Sequence, residues 1–403
     1  MKKVMTILVF FLLIMAGFGL EGCKRSSVKS SDSLITVDVT KSYPKKELIL
    51  QDFMDVEYIP LETNDNFLTQ GSVLAIGKDI IAVRNRINDG DIFIFDRATG
   101  KGLRKINRRG QGPEEYVGCP WIVLDEQICE IFVNDILTKR ILVYDFNGKF
   151  KRSFRHKEDA LYVNIHNFDR DNLICYDGFF DNNNKGSMHP FFLISKQNGI
   201  ITKEIQIPFE EKIITPILRD GVMYGDIPET HYPIISYFDK WMLVEPSSDT
   251  IYSYLPNYTL MPLILRTPPI QSMNPEVFLF LNVTTDRYYF MVTAKKEYNF
   301  TTQQGFPGTD LIYDKQENGI FEYAIYNDDY VDKKLISIKP SRPRPVNEDI
   351  ATWQRLEANQ LVESYKKGEL KGKLKEIASK LKEDDNPVIM LCKYISDICN
   401  FLF

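Results

Sequence analysis

DIFIFDRATGKGLRKI (91–106) is the stretch whose reading decides the fold. A β-branched and aromatic strand runs to Phe95, a polar turn follows, and a second strand returns. The unit recurs as RILVYDFNGKFKRSF (140–154), FFLISKQNGIITKEI (191–205), TIYSYLPNYTLMPLI (250–264) and GIFEYAIYNDDYVDKKLISI (319–338). Aligning Phe95, Tyr144, Ile194, Tyr254 and Tyr326 gives steps of 49, 50, 60 and 72. The first three fit a blade of four short strands, and the last implies a long loop insertion.

Between these hairpins lie further strand pairs, in SVLAIGKDIIAVRN (72–85), CEIFVNDI (129–136), NFDRDNLICYDG (167–178) and YFDKWMLVEP (237–246). Turns such as Gly77-Lys78-Asp79 and Asp169-Arg170-Asp171-Asn172 link their apolar runs, the hairpin signature. DVEYIPLET (55–63) supplies an early strand. Six blades over 46–340 would average about 49 residues each, and radial repetition protects sheet edges. The expected fold is therefore all-β, a six-bladed β-propeller over 46–340 with a C-terminal helical extension.

The tail changes period after SRPRPVNEDI (341–350). Asn347 is expected to cap a helix carrying Ile350, Trp353, Leu356, Leu361 and Tyr365 on one face, with Glu348 and Asp349 in its first turn. Gly368 and Gly372 weaken it midway; Leu370, Leu374, Ile377 and Leu381 continue the stripe, which is expected to pack on the propeller. Asp384-Asp385-Asn386-Pro387 stops it, and VIMLCKYI (388–395) reads as a closing strand. Segment 341–403 is thus a helix and closing strand, and the apolar end ISDICNFLF (395–403) is expected to be buried.

At the other end, MKKVMTILVFFLLIMAGFGLEGC (1–23) has a basic start and a 17-residue apolar run, Val4 to Leu20. That is an export signal rather than a spanning helix. Leu20-Glu21-Gly22-Cys23 resembles a bacterial lipobox, with Glu21 in place of the usual small residue. The resemblance implies cleavage after residue 22 and lipidation of Cys23, with 23–45 as tether, KRSSVKSSDS (24–33) being Ser-rich. The implied address is the outer membrane of the cell envelope. Lys24 and Arg25, where surface-exported lipoproteins carry acids, favour the periplasmic face over the cell surface.

RRGQGPEEYVGCPWIVLDEQICEIFVNDILTKRILVYDFNGKF (108–150) resembles an NHL-type repeat. The matching features are Gly110-Gln111-Gly112-Pro113, Tyr116, Pro120, Val123, Asp125, Val133-Asn134-Asp135, Arg140-Ile141, Tyr144-Asp145 and Gly148. With the lipobox and LKEDDNPVIML (381–391), the whole mature chain resembles a large family of bacterial lipoproteins described as six-bladed β-propellers. That resemblance implies a fold and little function. Physically, Gly110 and Gly112 are expected to adopt positive φ, Asp135 and Asp145 to cap turns, and Arg140 to bridge blades by pairing with such an aspartate. The functional alternative places Arg108, Arg109, Gln111, Glu114 and Glu115 on a propeller rim, touching a ligand.

Chemistry leaves fainter marks. The 403 residues carry 50 basic and 55 acidic side chains, a formal charge of −5, which argues against nucleic acid as a partner. No HExxH, GxSxG, Walker loop or dinucleotide fingerprint is present, so neither a cofactor nor a metal is expected. Of the four histidines, His156 and His166 are expected on different strands of one blade, and His189 and His231 at the surface. Asp177, Asp181 and Asn183 could hold calcium in DGFFDNNNKGSMHP (177–190), although the ligand order is not that of an EF-hand. Tyr232, Tyr237, Trp241 and Tyr288-Tyr289 are candidate sugar or peptide platforms. Beside Cys23, five cysteines remain (Cys119, Cys129, Cys175, Cys392, Cys399), an odd number read as small buried residues with pairing undecided.

The reading is a lipid-anchored, non-enzymatic binding or scaffold propeller that recognises a protein, peptide or glycan partner. The alternative is a metal-dependent hydrolase or lactonase, or a glycan lyase, with its site at the central channel.

Overall fold

A computed structural model describes residues 34–69, 72–85, 89–118, 121–180, 186–219, 222–225, 228, 230–338 and 349–395. The signal segment and Cys23 lie outside them, as do Cys119, Pro120, Asp181, Asn183, Asn347, Glu348, Cys399 and the end of the chain.

Six sheets form the blades. Blade I spans Ser72 to Asn107, blade II Trp121 to Arg155, and blade III Tyr162 to Ile205, each a four-stranded antiparallel sheet of consecutive strands. Blade IV (234–267) and blade V (277–327) repeat the pattern. The expected all-β, six-bladed propeller is what the chain builds.

Six hydrophobic clusters sit between neighbouring blades, one per pair. In blade II, Leu142 and Tyr144 face blade I while Ile141 and Val143 face blade III. Both faces of these strands are buried, so they read as nearly continuous apolar runs rather than strict alternation.

The N-terminal residues complete the last three blades. β1 (Ile35–Asp38) adds parallel to the outer strand of blade IV, Ile35 opposite Ile264. β2 (Lys45–Ile49) adds parallel to that of blade V, Leu48 opposite Ile325. β3 (Met54–Pro60) pairs antiparallel with the C-terminal strand Val388–Tyr394, which pairs in turn with Ile350–Leu356. Blade VI is therefore built from both ends of the chain. The propeller begins before residue 46 and ends after residue 340, and β1 falls inside the stretch read as tether. Asn386 ties the two ends together: its Nδ2 donates to the Glu62 and Phe67 carbonyls, and its Oδ1 accepts the Thr69 N–H.

Three expectations need correction. Ile350, Trp353 and Leu356 lie on a strand, not a helix. Its first four residues are all buried, a pattern that also satisfies helical spacing. The helices are shorter, Ala358–Lys366 and Gly372–Ala378. Gly368, at φ +73°, ends the first. Leu361, Leu370, Leu374 and Ala378 bury their apolar face in the core between blades V and VI. Next, the counterpart of Tyr254 in blade V is Tyr313, 59 residues on, rather than Tyr326. DLIYD (310–314) is the third strand, and Tyr326 belongs to the fourth. The insertion in this interval is a small hairpin, Tyr298–Asn299 with Gln304–Gly305, between the second and third strands of blade V. Finally, neither Gly110 nor Gly112 has positive φ. A Cβ at Gly110 would lie 1.8 Å from a Glu115 carboxylate oxygen, so the Glu115 side chain would have to swing aside.

Candidate functional site

The upper rim carries the connections between blades and the loops joining second to third strands. There, over blades II to IV, lies a cavity of about 330 Å³. The first residues of the blade II inner strand, Trp121 to Val123, form one side. Leu161 and the blade III inner strand from Val163 to His166 form the floor, with Tyr176 and Asp177 at the end of the second strand and Gly178 to Phe180 after it. Lys212 to Thr215 and His231 to Pro233, both in the connection from blade III to blade IV, close the remaining side. The walls are chiefly apolar and aromatic, with few polar groups converging, the usual composition of a small-molecule site.

Those polar groups are held from several elements. Glu245 is fully buried; its Oε1 accepts from Lys212 Nζ at 2.7 Å, Ser247 Oγ at 2.7 Å and the Ser247 N–H at 3.1 Å. Tyr176 donates its hydroxyl to Glu245 Oε2 at 3.2 Å. Burial drives the Glu245 carboxyl up, but the ammonium of Lys212 and the Ser247 donors outweigh it, so the pKa lies below the ordinary value. Ser247 Oγ accepts the Ile213 N–H at 2.9 Å, fixing Lys212 and its neighbours on the rim.

Asp177 ends the second strand of blade III and lines the cavity. Its Oδ1 accepts the Leu161 and Phe179 N–H groups at 2.8 and 2.9 Å, and its Oδ2 has no protein partner. Its carboxyl is raised by burial, which outweighs those two bonds and the charges of Lys212 and Lys157. On the adjacent strand Asn164 Oδ1 meets His166 Nε2 at 2.6 Å, leaving Asn164 Nδ2 without a protein partner.

The histidines differ from expectation. His231 is buried, lines the cavity, and packs 4.9 Å from the Phe280 ring. His156 and His166 belong to different blades, His156 following the last strand of blade II and His166 lying on the first of blade III. His156 is buried against Tyr162 at 4.1 Å, bonds Asn134 Oδ1 at 2.8 Å, and is pushed down to about 4 by burial and by Lys139. His189 is exposed.

Arg108, Arg109, Gln111, Glu114 and Glu115 lie in the connection from blade I to blade II, on the same rim, but none lines the cavity. Much of this segment holds itself in place. Arg108 Nε donates to the Gly148 carbonyl, Glu115 accepts the Gly112 N–H, and the Glu114 carbonyl accepts the Tyr144 hydroxyl. Arg109 packs against Gly90, and Gln111 is exposed. Arg140 donates to the Pro113 and Glu115 carbonyls rather than to an aspartate. Asp135 and Asp145 cap turns through Leu137, Asn147 and Lys149 N–H groups.

Of the candidate platforms, Tyr232 lines the cavity. Trp241, Tyr288 and Tyr289 are core residues, and Tyr237 is half-buried and bonded to Asp286. Asp177 enters the site without its companions in the calcium reading, Asp181 and Asn183 being outside the described residues. Among the described residues no group of three His, Cys, Asp or Glu side chains is placed to hold a metal ion, and no helix is long and apolar enough to cross a membrane. Cys175 and Cys392 are buried, whereas Cys129 is exposed. Lys212 and Glu245 carry no motif; only the fold brings them together.

The propeller is similar to solved structures. A protein of Bacteroides fragilis described as exported superposes with a TM-score of 0.58 at 14% identity, over 90% of this chain and 100% of that one. A member of the duf4221 family from Bacteroides vulgatus gives 0.45 at 12% identity, over 85% and 97%. The first likeness establishes fold alone. No curated protein matches the sequence. The family model described as a domain of unknown function, DUF4934, matches residues 34–393, nearly the whole described structure, and the chain belongs to that family.

Proposed function

We propose that the chain is a lipid-anchored, NHL-like propeller of the cell envelope that captures a protein, peptide or glycan partner at its upper rim without transforming it. The observation that carries this reading is the aromatic-walled cavity over blades II to IV. A rigid ring presenting loops suits recognition. The export signal and Cys23 support an envelope address.

The test has two arms. In a diderm bacterium fed a clickable fatty acid, the wild-type chain takes up label and Cys23→Ser does not. Equal labelling of both contradicts the anchor. On arrays of envelope glycans and peptides, the lipidated chain gives discrete hits that Phe179→Ala weakens; hits that Phe179→Ala leaves intact contradict the cavity as the capture site.

A further inference from the structure

Resting on that reading, the geometry points to the cavity partner as a neutral ring compound that offers a hydroxyl to Asp177 Oδ2 and Asn164 Nδ2. A terminal saccharide unit is the form that fits best.

Asp177 is 6% exposed, yet only its Oδ1 is bonded by the protein. Asp177 lines the cavity, so Oδ2 is placed to accept a hydrogen bond from whatever fills it. Asn164, whose side chain lines the same cavity, has an acceptor already engaged and Nδ2 unengaged. One free acceptor and one free donor on adjacent strands match a hydroxyl, which gives and takes a hydrogen bond.

Charge selects among hydroxyl compounds and amines. Asp177 and Glu245 bring two negative charges, and Lys212 and Lys157 act on them as two positive ones. The four cancel. An ammonium ligand would face Lys212 in the cavity wall and feel the charge of Lys157 beyond it, and a carboxylate ligand would face Asp177; a neutral ligand meets neither penalty.

Shape selects a ring. The rings of Phe179, Tyr176 and Trp121 line the cavity with this polar pair. About 330 Å³ is at the small end of ligand sites, enough for a compact ring and not for a folded peptide. A sugar offers hydroxyls at its edge and C–H groups on its faces. A neutral aromatic alcohol shares the chemistry, and the experiment separates the two.

The experiment is ligand-observed saturation-transfer NMR on the full lipidated chain in a detergent without a sugar headgroup. The probes are methyl glucoside, methyl galactoside and methyl mannoside, with glucosamine, glucuronic acid and benzyl alcohol beside them. At least one neutral glycoside is expected to receive saturation, and the two charged sugars are not. Asp177→Asn keeps Oδ1 for its two N–H donors and replaces only Oδ2, so the fold is retained. It is expected to weaken glycoside binding by about tenfold or more, the loss of a bond to a charged group. Benzyl alcohol binding alone, if equally sensitive to Asp177→Asn, keeps the hydroxyl recognition and moves it to a non-sugar alcohol. Silence from all neutral probes, stronger binding of glucosamine, or indifference to Asp177→Asn overturns the inference. A partner from the arrays lost with Phe179→Ala but kept with Asp177→Asn overturns only this inference, and one kept with both overturns the cavity reading too.

Discussion

Two lysine–carboxylate pairs of this propeller, Lys196–Asp125 and Lys212–Glu245, have surroundings that give them different work. Lys196, in the last turn of blade III, reaches Asp125 of blade II at 2.6 Å and also the Asp169 carbonyl. Its side chain and that of Asp125 are 1% and 3% exposed. This pair sits on the lower face, between blades, away from the upper-rim cavity. Lys212 meets Glu245 at 2.7 Å on the upper face, where the lysine is 13% exposed and lines the cavity. Burial alone therefore does not mark a functional site. The lower pair latches two blades, and the lysine of the upper pair lines a space open to a ligand. A sealed ion pair has only fixed protein groups to offset desolvation, whereas one bordering a cavity also exchanges with water or ligand.

Breaking the lower pair is the largest test of that contrast. Asp125→Ala strands an ammonium in a sealed site and is expected to cost about 3–5 kcal/mol of stability, read by urea unfolding. The double change Asp125→Ala with Lys196→Met removes both charges and is expected to recover much of that loss. A double variant as unstable as the single one would mean that the latch works by packing and not by charge.

His156 offers a contrast of another kind, a titratable group kept neutral by burial instead of paired. Its folded pKa of about 4 lies below the ordinary 6.5. Its contribution to stability is therefore full above pH 6.5 and lost as pH falls toward 4, on the order of 3 kcal/mol. His156→Gln is expected to flatten the stability profile across that window, in unfolding curves taken at successive pH values. An unchanged slope would show that His156 is hydrated in solution.

How much of this was legible in the sequence follows from where contacts lie along the chain. Blades I to III use consecutive strands joined by short turns, so hairpins such as 91–106 announce them. Blades IV to VI borrow β1, β2 and β3 from the N-terminus. Ile35 meets Ile264, a pairing across the chain that no local pattern contains. The strand Ile350–Leu356 was misread because burial on both faces erases the period of two. The site was less visible still. Asp177 drew attention as an acid in an Asn-rich loop and Tyr232 as a possible platform. Lys212, Glu245 and Asn164 are ordinary residues until three blades bring them to one rim. The glycine-rich segment at 108–116 stood out because its conformation is specialised, and that conformation is spent largely on locking blades I and II together.

Smaller effects sharpen the comparison at the upper pair. Glu245→Gln leaves Lys212 without its anion but with access to the cavity. The expected loss is about 1–3 kcal/mol, below that of Asp125→Ala in the same urea assay. Equal losses would erase the distinction between the two pairs. Acid should also act on Glu245: with its folded pKa depressed, its stabilising contribution is present above the ordinary carboxyl value and lost as pH falls through the folded one.

Asp177 behaves in the opposite sense. Its raised pKa means that ionisation opposes folding, so stability falls as pH rises from the ordinary carboxyl value through the folded one. Asp177→Asn lacks that loss and is expected to gain on wild type across the same rise. A constant difference between the two proteins would show that the carboxylate is not strained by burial.

The most direct measurement is a crystal structure of the protein soaked with the neutral methyl glycoside that gives the strongest saturation transfer. The account predicts a sugar ring in the cavity over blades II to IV, stacked on aromatic wall, with a hydroxyl within hydrogen-bond distance of Asp177 Oδ2 and Asn164 Nδ2. A ring bound elsewhere on the propeller, with the cavity unoccupied, would contradict it.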